Sequence, residues 1–98
     1  MTDLEKMEKM VTLVYMYSWM FQKSGWFQYL DYEKKYGDRV RDLKWRMFQN
    51  GTDKDAVTMA QVKGKAVAKQ VCKGRVTVKK AEMVLALVDK LVGEVRGA

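Results

Sequence analysis

Ninety-eight residues, 48% hydrophobic and 32% charged, are one globular domain's worth of chain, too short to hold a cofactor domain beside a substrate domain. Nineteen Lys and Arg against 12 Asp and Glu leave a formal charge of +7, which favours anionic partners. The absence of His and the single Cys72 remove the commonest neutral-pH base, any intrachain disulfide and any multi-cysteine zinc site, and favour a reducing compartment.

Pro is also absent, which favours long uninterrupted helices. The first helix starts at Thr2 or Asp3, since Thr2 and Glu5 have the spacing of a capping box. Leu4, Met7, Val11, Val14 and Phe21 then recur at three-and-four spacing, with Ser18 filling the last step. Tyr15, Tyr17, Trp19 and Met20 make this helix apolar on nearly every side toward its end. That predicts burial on two sides, by the domain and by another chain or element. The apolar run Met10 to Phe21 is about a dozen residues, where a bilayer span needs roughly 20. Met1 to Met10 mixes acidic and basic residues, so it does not read as a secretory signal.

Ser24-Gly25 is the first break. The second pattern runs from Trp26 through Tyr29, Tyr36, Val40, Leu43 and Met47, with Gly37 as a candidate split point. Asn50-Gly51 ends it, because both residues tolerate the left-handed conformation of a helix terminus. Thr52 or Asp53 caps a third helix carrying Ala56, Met59, Ala60, Val62, Ala66, Val67 and Val71, with Gly64 in its middle. Thr77 caps the last, whose apolar stripe is Val78, Ala81, Leu85, Val88, Leu91, Val92 and Val95. The expected fold is all-α, a compact bundle of four or five helices in one domain over residues 1–98. Residues 1–50 form its aromatic and Met-rich half, expected to offer a self-association or partner face. Residues 51–98 form a basic helical half.

The charge is uneven. Residues 1–50 hold nine basic and seven acidic groups, residues 51–98 ten and five. Lys63, Lys65, Lys69, Lys73, Arg75, Lys79 and Lys80 follow one another with no acidic residue between them. The surrounding stretch Gly64 to Met83, GKAVAKQVCKGRVTVKKAEM, resembles the helix-turn-helix motif of DNA-binding regulators. Ala68 takes its small crossing position, Val67, Val71, Val78 and Ala81 its clamping positions, and Thr77-Val78 opens the second helix. Cys72 stands where Gly usually makes the turn, and Lys73 where an apolar residue usually packs. The resemblance covers about a fifth of the chain. It implies that the start of the second helix enters the major groove of DNA. Arg75, Lys79 and Lys80 would then reach base edges or flanking phosphates, while Lys65, Lys69 and Lys73, spaced by four, would contact phosphate and set register.

The aromatic residues Tyr15, Tyr17, Trp19, Phe21, Trp26, Phe27, Tyr29 and Tyr32 are of the type that stacks unpaired bases, but they lie far along the chain from the basic block. They therefore read as core plus a self-association face, with Tyr15, Trp19, Phe21 and Trp26 as interface residues of an expected homodimer. Asp53/Asp55 and Asp38/Asp42 read as caps and local ion pairs rather than as metal ligands. Cys72 reads as a packed small group. No catalytic residue, metal or cofactor is expected, and the chain is not expected to be an enzyme. The function these features point to is a cytoplasmic DNA-binding regulator that contacts duplex DNA through its C-terminal half. The alternative is a protein-binding inhibitor or adaptor, of the kind phages and mobile elements encode, that blocks or recruits a larger host complex. A membrane partner is not expected, because the basic block and the aromatic run lie on different segments.

Overall fold

The computed structural model describes residues 1–97, and these form four α-helices with no strand among them. Helix α1 (Asp3–Ser24) opens on the expected capping box: the Glu5 N–H donates to Thr2 Oγ1 at 3.2 Å, and the Thr2 N–H reaches back to Glu5 Oε1 at 3.4 Å. Gly25, at φ +72°, closes the helix with its N–H donating to the Phe21 carbonyl. Helix α2 (Phe27–Gln49) passes through Gly37 without a break. One glycine costs a helix interior roughly 0.5–1 kcal/mol, too little to stop a 23-residue helix packed along its length. Helix α3 (Lys54–Val71) likewise continues through Gly64. Helix α4 (Val78–Gly97) is capped by Thr77, whose Oγ1 accepts the Lys80 N–H at 3.1 Å.

The helices alternate in direction, yet they do not share the core equally. Helix α1 lies in the middle and packs against all three others, which barely touch one another. Helix α2 is antiparallel to it, bringing Arg46 to Asp3 at one end and Tyr29 to Tyr17 toward the other. Helix α4 is also antiparallel, pairing Glu94 with Lys9 and setting Val84 near Met20. Helix α3 runs parallel to α1, with Gly64 against Val11 and Cys72 near Trp19. Surrounded in this way, α1 buries Met7, Met10, Val11, Leu13, Met16, Tyr17 and Met20 over most of its circumference, leaving the side of Tyr15, Ser18, Trp19 and Gln22 only partly covered. Much of the second cover expected over this apolar helix is thus supplied by other elements of the same chain, while Tyr15 remains exposed and Trp19 and Phe21 half-buried.

The inward face of α3 differs from the one the apolar pattern predicts. Val57, Ala60, Gly64 and Ala68 are buried, while Met59, Val62 and Val67 stay exposed. The small residues sit inside because the two backbones approach closely there. A Cβ on Gly64 would stand 2.5 Å from the Glu8 carbonyl oxygen and 2.9 Å from Val11 Cβ. Thr12, buried at this crossing, has its hydroxyl 2.8 Å from the Glu8 carbonyl oxygen and 3.0 Å from that of Gly64. It donates its single proton between them, so the contact is polar as well as close. On α4 the buried positions are Val84, Val88, Leu91 and Val95, and Val78 is 78% exposed.

These placements also decide the geometry of the stretch that resembles a helix-turn-helix. Six residues, Cys72 to Thr77, connect α3 to α4, with Gly74 at φ +89°, where that motif uses a turn of three or four. Val67 and Val78, assigned to clamping positions, face solvent, and α3 makes almost no contact with α4. The interhelical clamp is not formed, because each of the two helices spends its buried face on α1.

Candidate nucleic-acid interface

Lys65 and Lys69 lie on α3, Lys73 and Arg75 in the connection beyond it, and Lys79 and Lys80 in the first turn of α4. The first five are exposed and Lys80 is half-buried. Along the chain no carboxylate occurs between Asp55 and Glu82. Among the described residues the ion pairs are Lys9–Glu94, Arg46–Asp3 at 3.3 Å, and Arg41 with Asp38 and Asp42 at 3.5 and 3.9 Å. None involves the basic block. Local helix electrostatics do not explain its position either. Lys69 suits the negative end of α3, but Lys79 and Lys80 stand at the positive end of α4, whose first turn holds no acidic residue.

The fold places two of the aromatic residues beside this block. Tyr15, Ser18, Trp19 and Gln22 recur at helical spacing along one side of α1 and face Ala68, Lys69 and Cys72 across a groove of about 250 Å³. The Lys65 ammonium lies 5.4 Å from the Tyr15 ring centroid, within cation–π range. The sequence separates these aromatics from the block by some fifty positions, and the parallel packing of α3 on α1 cancels that separation. Lys23, which the block's sequence limits omit, lines an adjoining groove with Trp19, Tyr29, Val76 and Leu85. The helical spacing of Tyr15, Trp19 and Lys23 was the signal that connects them.

The four expected interface residues are spread over the α1–α3 groove, the adjoining groove of Trp19 and Tyr29, and the α1–α2 turn. Tyr15 and Trp19 face α3. Trp26 instead stacks on Tyr29 with ring centroids 6.0 Å apart, and Phe21 meets Phe27 at 6.0 Å, both at the α1–α2 turn. Trp26 is 62% and Phe27 73% exposed, so this turn presents two large apolar side chains to solvent.

Burial pushes the Cys72 thiol up, opposed in part by the nearby Lys80, so at neutral pH the thiol keeps its proton. Asp38 and Asp42 are engaged by Arg41, and no three Cys, Asp or Glu side chains among the described residues converge in a way that would hold a metal ion. No helix of the described residues is long and apolar enough to cross a membrane. Comparison with protein-family models, with curated proteins and with solved structures finds no match to this chain.

Proposed function

We propose that this chain is a non-enzymatic cytoplasmic DNA-binding regulator whose contacts to duplex DNA come from Lys65, Lys69, Lys73, Arg75, Lys79 and Lys80. The observation that carries this reading is that six cations cluster around the α3–α4 connection with no carboxylate partner among the described residues. Charges left uncompensated in this way attract a polyanion, and each phosphate they neutralise releases a counterion. With α3 and α4 unclamped, the contacts are to phosphate and carry affinity and orientation more than sequence readout.

The test is the salt dependence of binding, followed by fluorescence anisotropy on a labelled duplex. Six phosphate contacts give a slope of log affinity on log salt of about −5. Lys69→Ala should reduce that slope by about one and weaken all sequences alike. Binding that is absent at low salt, or indifferent to salt, would refute the reading. The exposed Trp26 and Phe27 favour the second reading, a protein-binding inhibitor or adaptor of phage or mobile-element type. In that case replacing these two residues abolishes capture of a host protein while substitutions in the basic block leave it intact.

A further inference from the structure

The groove between α1 and α3 has two walls of different chemistry at matching intervals. Tyr15 and Trp19 are four residues apart on α1, and Lys65 and Lys69 are four residues apart on α3. Because the two helices run parallel, the pairs fall in register. Lys65 lies over the Tyr15 ring, and Lys69 lines the groove that Tyr15 and Trp19 share. Four residues of helix advance about 6 Å along the axis, so each wall repeats at about that interval. Tyr15 is 41% exposed and Trp19 half-buried.

We propose that this groove binds single-stranded nucleic acid, with successive unpaired bases stacking on Tyr15 and Trp19 and the phosphates held by Lys65 and Lys69. The inference rests on the nucleic-acid reading above and adds to it a site for a strand with unpaired bases. Spacing selects the occupant. Bases in a duplex strand follow one another at about 3.4 Å along the axis and present only their edges. Aromatic positions advancing about 6 Å along the helix axis instead fit bases that have been unstacked and splayed. Aromatic platforms beside a cationic track are the chemistry that holds such strands, tolerant of sequence because every base has a π-face. Charge complementarity supports a polyanion over a protein segment. Lys69 lines the groove, Lys65 lies over the Tyr15 ring at its edge, and no Asp or Glu lines it.

The experiment uses the full chain with Trp26→Phe and Trp45→Phe, which leaves Trp19 as its one tryptophan fluorophore. The probes are an oligodeoxynucleotide of about 12 nucleotides, within the usual range of single-strand sites, and its duplex with the complementary strand. The single strand should quench Trp19 fluorescence and the duplex should not. Tyr15→Ala, at an exposed position, should weaken single-strand binding roughly 5- to 100-fold, the range measured for loss of one stacking platform. It should leave duplex affinity and the salt slope unchanged, because no phosphate contact is lost. Trp19→Phe, which keeps a ring and the packing against the core, should retain most of the single-strand affinity. Lys69→Ala should lower both affinities and the slope. If the duplex binds with its steep salt dependence while the single strand neither quenches Trp19 nor responds to Tyr15→Ala, the groove proposal is overturned and the electrostatic reading stands. If neither probe binds, both readings fall.

Discussion

A Cβ at position 64 would meet the Glu8 carbonyl, which is backbone and cannot swing aside as a flexible side chain would. Gly64→Ala should therefore destabilise the protein by roughly 1–3 kcal/mol through forced separation of α1 and α3, despite the better helix propensity of Ala. A Cβ on Gly37 would meet nothing within 4 Å, and the residue is helical, so Gly37→Ala should stabilise by roughly 0.5–1 kcal/mol. Urea denaturation of the two variants checks the pair, and a shift of the same sign in both would contradict the close-approach account. Tyr17 makes a second residue-scale case. Its ring sits among Tyr29, Tyr32 and Tyr36 with centroids 6.4, 5.2 and 5.8 Å away. Burial, reinforced by Tyr36, Tyr32 and Asp89, pushes its phenol from 10.0 up to about 12. Below pH 10 both folded and unfolded chains hold this proton. Between 10 and 12 the unfolded chain releases a proton that the folded chain keeps, so stability falls as pH rises, by roughly 2–3 kcal/mol across the window. Tyr17→Phe should flatten that loss, and equal alkaline losses in both proteins by chemical denaturation would rule the cause out.

At the scale of the element, the first turn of α4 breaks a local rule. A helix N-terminus favours Asp or Glu, and here it carries Lys79 and Lys80. Replacing both by Glu should raise stability by roughly 1 kcal/mol at low salt, since each cation there opposes the helix dipole. The same variant should lose duplex affinity and about two units of salt slope. A melting temperature that rises while binding falls is the expected signature. A variant that gains stability and binds DNA as well as the parent would remove Lys79 and Lys80 from the interface. Helix α1 shows the complementary point. Its predicted stripe places Met7 and Val11 inside, as observed, but leaves Val14 and Phe21 only half-buried. Met10, Leu13, Met16, Tyr17 and Met20 are buried as well, because a helix flanked on three sides has no single inward face.

Across the whole molecule, 44 Å long, the ion pairs between helices lie at one end. Asp3, Arg46, Lys9 and Glu94 pair with one another where the α1 N-terminus meets the C-terminal ends of α2 and α4. The basic block lies toward the opposite end, on the second half of α3, the α3–α4 connection and the first turn of α4. The starts and stops of the helices were legible without any structure, because caps such as Thr2–Glu5, Gly25 and Thr77 act over three or four residues of the same chain. The basic block was legible for the same reason, since a run of lysines without carboxylates is a property of the sequence itself. Which faces turn inward was decided only by tertiary packing. Burial depends on how many neighbours a helix has, and α1 has three where a simple amphipathic pattern assumes one. The inward turn of Gly64 and the meeting of Tyr15 and Trp19 with Lys65 and Lys69 were decided there too. Both follow from the close parallel approach of α3 to α1, a contact between residues some fifty positions apart that no local interaction encodes.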